Sequence, residues 1–431
     1  MSRSLPDAPT SRSRRILAMG AIAVAASFLL CGYEFIRSAS SSLFLNAYGS
    51  KRLPIVMALG PVCTILLVYV YGLLLSLLGA CRALLMTSGL SALVIAACYV
   101  AVKGGSALAT GVAYVFREAY IVVLVEQYWS FINSTVSHRE GRGLNGPIAG
   151  IASVGAILGA TLVGVFAGKF GTETFLLLAA ASLVPAAICA AGAYYLGGEP
   201  KPSEREAGGK QGHLAIGLFG RSSYLVLLLL LIGTTQVVST VLDLRLNQLV
   251  MQEMPRKEVR QPDGKVVDAN KDVRTGYFGR LYRDLNIGSM LLEFIGAPAA
   301  LYLLPLRVVH GAIPLVHFCT GLVLLLRPSL GVGAVAYLVF KAFDYSVFRA
   351  GKEIFYIPLS FDERYRAKSV IDAFGYRVSK GVAAGVIALV GLVSRIPGGA
   401  YAVTAMACAG VWFFIVAQLC RRYRELAGGR Q

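Results

Sequence analysis

Apolar runs of about twenty residues recur from one end of this chain to the other. A run of that length crosses roughly 30 Å of hydrocarbon as an α-helix. Lipid offers no partner to a free backbone N–H or C=O, so spanning segments are helices or closed barrels. A barrel would show segments of about 10 residues with alternating polarity, which are not present. Of the 431 residues 56% are hydrophobic and only 15% charged, too few charges for a soluble protein of this size. The expected fold class is therefore an all-α polytopic membrane protein. Twelve spans can be placed at about 16–36, 53–78, 83–103, 107–132, 147–168, 173–196, 222–246, 280–304, 308–326, 330–352, 370–393 and 398–420.

The organisation follows from the polar stretches between the spans. Residues 1–15 form an Arg-rich tail, and the run after it is too long for a signal-peptide core, so it reads as the first span. The segment 197–221 is polar and rich in Gly and Pro, the composition of a linker. It separates an N-terminal six-helix bundle (16–196) from a C-terminal one (222–420), an arrangement expected of transporters. An insertion at 251–275 is nearly neutral, and Pro262-Asp263-Gly264-Lys265 within it reads as a tight turn. Residues 421–431 form a basic tail. Lys and Arg concentrate in both tails and near 138–142, 199–221 and 360–368, which places both termini in the cytoplasm. The Arg-rich ends, with no organellar presequence, suggest a multi-pass protein of the bacterial cytoplasmic (inner) membrane.

The net charge of +18 fits a basic face on an anionic membrane, and equally an anionic small-molecule substrate met by inward-facing cations. Nucleic acid is not an expected partner, because the basic residues are spread over loops and spans. The eight cysteines mostly fall within apolar runs without CxxC or Cys/His spacing, so neither a disulfide framework nor a metal site is expected. No Gly-rich phosphate loop, G-x-S-x-G or H-E-x-x-H motif is present, and neither an enzyme nor a cofactor is expected. His310 and His317 are seven residues apart on the ninth span and read as helix-packing hydrogen-bond partners.

The most telling segment is Lys341–Leu359, which carries Lys341, Asp344, Arg349, Lys352 and Glu353 inside a span. Ionisable groups at bilayer depth cost several kcal/mol each unless they pair or line a wet cavity. Lys341 and Lys352, 11 residues apart, lie about 20° apart on one helical face, flanked by Asp344 and Tyr345. Glu126 and Asn133 share a face of the fourth span, with Trp129 near it. Asp372, Tyr376 and Ser379 make a polar stripe on the eleventh, with Lys380 at its edge and Arg377 close by. The seventh ends in Asp243-Leu-Arg245-Leu-Asn247. Arg37 stands at the end of the first span, three residues after Glu34. Glu34, Arg117, Glu118, Arg280 and Arg283 read instead as structural ion pairs or interfacial side chains. Gly150, Gly155, Gly159, Gly164 and Gly168 make the fifth span a close-packing surface.

The run Tyr345-Ser346-Val-Phe348-Arg-Ala-Gly-Lys352-Glu353-Ile-Phe-Tyr356-Ile357-Pro358-Leu359 closely resembles the pattern Y-S-L-F-D-P-T-K-E-M-A-Y-I-P-L. It continues as Ala367-Lys368-Ser-Val-Ile371-Asp372-Ala-Phe-Gly375-Tyr-Arg377-Val-Ser-Lys380, similar to G-K-A-A-I-D-V-V-G-x-R-x-G-K. These patterns belong to the ATP/ADP translocase family of plastids and intracellular bacteria, related to the major facilitator superfamily. Weaker echoes lie at Glu126–Asn133, at Tyr277–Tyr282 and at Arg37, where Ser40 and Ser41 replace an Arg and an Asp of the pattern.

The resemblance implies two major-facilitator-like bundles that exchange ATP for ADP, or another nucleotide, by alternating access. Its charged transport residues correspond to Arg37, Glu126, Lys352 and either Asp243 or Arg245. Lys341, Lys352, Arg37 and Lys380 would hold phosphates, while Trp129, Tyr345 and Tyr356 would stack the base. Glu353 and Glu126 would balance the empty cavity. The expected partners are an anionic small molecule and the bilayer, and the reading favours a monomer. Two other readings stay open at this point. One is proton-coupled transport of another anionic solute through Glu126, Glu293 or Asp372; the other is a membrane protein that does not transport.

Overall fold

The computed structural model describes residues 12–135, 138–199, 219–220, 222–260, 266–359, 371 and 375–428. The expected turn at 262–265, the loop at 360–368, Asp372 and all but the ends of the 197–221 linker lie outside the described residues.

Twelve helices are long and apolar enough to cross a membrane. In chain order they are α1 (Arg12–Tyr48), α2 (Leu53–Leu78), α3 (Ala80–Lys103), α4 (Ala107–Thr135), α5 (His138–Phe170) and α6 (Thr174–Gly197). The second half holds α7 (Ser223–Glu253), α8 (Lys271–Leu303), α9 (Leu306–Leu326), α10 (Leu330–Phe355), α11 (Tyr376–Val393) and α12 (Gly398–Gly428). Helix ends follow local chemistry. The Ser222 and Ser329 hydroxyls accept from the backbone amides of Leu225 and Val332, capping α7 and α10. Gly79 takes φ 80° between α2 and α3, a left-handed conformation that a side chain would strain.

Apolar side chains point both ways. Leu77, Val393, Phe414 and many others face outward, the distribution expected of a surface bathed in lipid rather than water. Inside, one core gathers Leu29, Tyr120, Phe131 and Phe175 from the first six helices. A second gathers mainly residues of the last six, among them Leu231, Phe340, Phe348 and Trp412. A third joins the bundles through Leu45 of α1, Ala160 of α5, Leu246 of α7, Phe278 of α8 and Tyr337 of α10. The expected pair of six-helix bundles is thus present.

The glycines of α5 divide their work. Gly155 and Gly159 lie against the carbonyls of Ser27 and Cys31 on α1, within the same bundle. Gly164 lies against Gly279 of α8, across the seam, with no room for a Cβ on Gly279 and little for one on Gly164. The seam is also closed between α2 and α11, where Pro61 meets Gly381.

Helices α8 and α10 are interrupted by π turns, at Leu292–Gly296 and at Asp344–Phe348, and these turns pack together. The insertion becomes a two-stranded antiparallel hairpin, β1 (Glu258–Arg260) with β2 (Val266–Asp268), in which Val259 pairs with Val267. It is anchored by Asp268, which accepts from the amides of Lys257 and Asn270 and pairs with Arg274. Although burial raises the Asp268 carboxyl, these donors outweigh it and hold it below the usual carboxylate range. The α1–α2 turn and the α11–α12 turn share one face with this hairpin, called here the hairpin face. The first described turn of α1 and the last of α12 lie on the opposite face, called here the terminal face.

Candidate central anion site

The first span extends further than its apolar run suggests. Helix α1 continues to Tyr48, so Arg37 sits well inside it rather than at its end. There its guanidinium pairs with Glu34 at 3.2 Å, reaches the Tyr337 hydroxyl of α10 at 3.4 Å and lies over the Tyr282 ring of α8 at 3.8 Å. Glu34 also accepts from Asn286 of α8 at 3.0 Å. One residue pair of α1 is therefore held by two helices of the opposite bundle.

Arg117 of α4 is equally central. Its Nη1 donates to the Arg37 carbonyl at 2.6 Å, to Ser40 Oγ at 2.8 Å and to Ser41 Oγ at 2.7 Å. The group also stacks on Tyr114 at 3.8 Å. A cation thus stands beside the two serines that depart from the translocase pattern, though it comes from α4. Next to it Glu118 faces Arg117 at 3.3 Å and, across the seam, Lys380 of α11 at 3.2 Å. That pair ties the bundles together at the level of the buried charges.

The remaining cations come from α10. Lys341 is buried and donates to Ser239 Oγ of α7 at 2.7 Å, with the rings of Phe340 and Tyr345 beside it. Lys352 is also buried, 3.7 Å from Glu353 and near the rings of Tyr356 and Tyr376. The expected shared face of Lys341 and Lys352 assumed an unbroken α-helix. The π turn between them inserts an extra residue and turns one half of α10 against the other, so the two lysines meet different elements. Asp344 begins that turn, buried, with Oδ1 free of hydrogen bonds among the described residues.

The other residues singled out in the sequence lie elsewhere. Glu126 and Asn133 are exposed on the terminal-face half of α4, and Trp129 packs on the core of the first bundle. Arg377 is half-buried on α11 near the side of Glu126. Asp243 is half-buried and accepts from Asn247, while Arg245 faces the hairpin face. Arg280 and Arg283 are peripheral, the latter paired with Asp284 at 2.7 Å. His317 does not form the expected packing hydrogen bond. Its ring packs tilted or edge-on among Phe340, Phe343 and Trp412, with neither nitrogen partnered among the described residues.

Sequence reasoning underrated Glu34, Arg117 and Glu118 and passed over Tyr33, Tyr337, Asn286 and Ser239. The signal for the first three was available. Glu34-x-x-Arg37 and Arg117-Glu118 stand at mid-helix depth, where only satisfied charges survive. The polar neighbours from α7, α8 and α10 carry no such mark in one dimension. In this state the space around Glu118, Lys380, Tyr114 and Thr64 is only about 110 Å³, so the charges are closed on one another.

Residues 308–423 match the family model for the TLC ATP/ADP transporter. The resemblance to ATP/ADP translocases is therefore shown, and the second bundle carries it. ADP,ATP carrier protein 3 of Rickettsia conorii (strain ATCC VR-613 / Malish 7) is 29% identical over 115 residues, which span 25% of this chain and only 23% of that carrier. Solved structures cover nearly everything. A mutant of the nucleoside transporter NupG superposes with a TM-score of 0.70 at 9% identity, over 94% of this chain and 99% of that one. The D-xylose-proton symporter gives 0.61 at 12% identity over 91% and 96%. A bacterial homologue of the human lysosomal transporter Spinster, inward-facing and unoccupied, gives 0.57 at 14% identity over 96% and 97%. This chain shares its fold with these solved structures.

Proposed function

We propose that this chain is a membrane transporter that exchanges nucleotides, of the ATP/ADP type or another, by alternating access through the central charges. One observation carries the reading. Cations from both bundles, the buried Arg37 and Arg117 on one side and the buried Lys341 and half-buried Lys380 on the other, meet at a seam of major-facilitator type. Lys and Arg are the natural ligands of phosphate, and Tyr33, Tyr282, Tyr337 and Tyr345 supply ring faces for a base. The names of the matched family, the Rickettsia carrier and the nucleoside transporter point the same way.

The chemistry suggests how exchange arises. A pocket for a ligand of nucleotide size needs about 300–1,000 Å³, so the seam must open to admit one. Opening separates Glu118 from Lys380 and leaves a cation for the phosphates. Without substrate that separation leaves charges unpaired at bilayer depth, which slows the return of an empty carrier. The distribution of Lys and Arg supports a bacterial inner membrane with the terminal face in the cytoplasm. The test is counterflow in liposomes. Nucleotide loaded inside should drive uptake of labelled nucleotide, with little response to an imposed pH gradient. Lys352→Ala should lower that uptake about tenfold or more; normal uptake of every nucleotide tried would overturn the reading.

A second reading draws on Asp344, whose buried carboxylate has a bare oxygen. If uptake followed the pH gradient and Asp344→Asn abolished that response, proton-coupled transport of an anionic solute would replace exchange.

A further inference from the structure

The central charges do not account for a large cavity elsewhere in the molecule. That cavity, about 1060 Å³, opens on the hairpin face between the α1–α2 turn, the end of α7 and the α11–α12 turn. Its walls bring together Lys51, Arg52, Arg245 and Arg395 and, among the described residues, not one carboxylate. Lys51, Arg52 and Arg395 are exposed, whereas Arg245 is only 6% exposed.

Arg245 is held as a ligand would need it. Its Nη1 donates to Gln248 Oε1 at 3.3 Å, and the Gln248 amide donates to the Tyr401 hydroxyl at 3.0 Å. Its guanidinium lies against Gly398, where α12 begins and where a side chain would displace it. Among the described residues no carboxylate lies within 4 Å of it. A buried cation without a counter-charge is costly, and here the missing charge can come from solution. The start of α12 adds the positive end of a helix to the same point.

The site is separate from the central one. Its floor is Ile387 and Ala388 of α11, seven and eight residues beyond Lys380, or about 10–12 Å along the helix. We propose that this cavity is a second anion site, built for phosphate groups, which captures the transported solute at the hairpin face before it meets the central charges. The capture role rests on the function proposed above; the phosphate chemistry stands without it. A phospholipid headgroup offers the same chemistry, and the exposed side chains of Leu392 and Val393 line the rim.

The experiment uses the full chain in nanodiscs of phosphatidylcholine, with inorganic pyrophosphate as probe in isothermal titration. Pyrophosphate should bind in a salt-sensitive manner, and the double variant Arg52→Gln/Arg395→Gln, altered only at exposed positions, should weaken it about tenfold. Arg245→Gln should weaken it at least as much. In counterflow the double variant should raise KM with kcat little changed, whereas Lys341→Gln should lower kcat. Undiminished pyrophosphate affinity in both vestibule variants would overturn the site. Should pyrophosphate fail while phosphatidylglycerol stabilises the wild type and not the double variant, the occupant is a lipid headgroup and the capture role falls. Pyrophosphate binding that needs these arginines, in a protein that moves no nucleotide, would leave the site standing and remove the function proposed above.

Discussion

Arg117 in the first bundle and Lys341 in the second are both buried cations at the same seam, yet they are held very differently. Arg117 meets a carbonyl, two hydroxyls, a carboxylate and an aromatic face. Lys341 meets one hydroxyl, that of Ser239, and two rings, with no carboxylate inside 4 Å among the described residues. A guanidinium presents five donors in a fixed plane, while an ammonium is a compact charge on a flexible stem. The first bundle therefore uses its cation as a post, and the second keeps one available. The family match falls on the second bundle alone. The family match and the more heavily bonded of the two cations thus sit in different halves, and a variant's effect on stability should part from its effect on transport along that line.

The sharpest break of this comparison is Arg117→Ala. It strips Glu118 of one partner and leaves the Ser40 and Ser41 hydroxyls without their donor. Removing one member of a buried pair costs about 3–5 kcal/mol, so a large fall in melting temperature in detergent is expected. A melting temperature near that of the wild type would show that Arg117 is no post. Lys341→Gln should do the reverse, with thermal stability close to wild type and counterflow reduced about tenfold, equivalent to about 1.4 kcal/mol. If stability collapsed instead, the two cations would be alike. Gly279→Ala tests the seam itself. The added methyl meets the Gly164 amide, and overpacking of this kind costs about 1–3 kcal/mol. Because the contact crosses the bundles, transport should slow more than the melting temperature falls.

The smallest effect belongs to the hairpin, outside the membrane. The depressed carboxyl of Asp268 contributes stability that is present above its ordinary range near pH 4 and lost as pH falls through its lower folded value. Amides of the hairpin should exchange faster with deuterium below about pH 4, and Asp268→Asn should lose that pH dependence. An unchanged dependence in the variant would assign the effect to another group.

What the sequence revealed follows what one dimension can carry. Hydrocarbon thickness imposes a length on each apolar run, and so the twelve spans were legible. The ends were less so, because helices such as α1, α7 and α8 continue past the apolar stretch once other helices replace lipid around them. Arg37 shows the consequence. The sequence marks it as a candidate phosphate holder at a span's end, while eleven further helical residues put it inside the helix, among Tyr33, Tyr282 and Tyr337. Pairings across the seam, such as Glu118 with Lys380 and Glu34 with Asn286, join residues more than 250 positions apart. No local pattern encodes them. The π turn in α10 was also invisible, and it upset the simple angular bookkeeping for Lys341 and Lys352.

That π turn has a consequence for how the sequence can drift. A five-residue loop of backbone hydrogen bonding holds one residue more than an α-turn needs, so a single deletion within Asp344–Phe348 would be absorbed as ordinary helix. Everything beyond it would then keep its orientation, because the turn had already taken up the extra residue. A deletion in the regular helix before it would instead turn Lys352 and Glu353 by about 100° with every side chain intact. Spacing along α10 carries as much information as residue identity, and this turn is where the loss of one residue should cost the protein least.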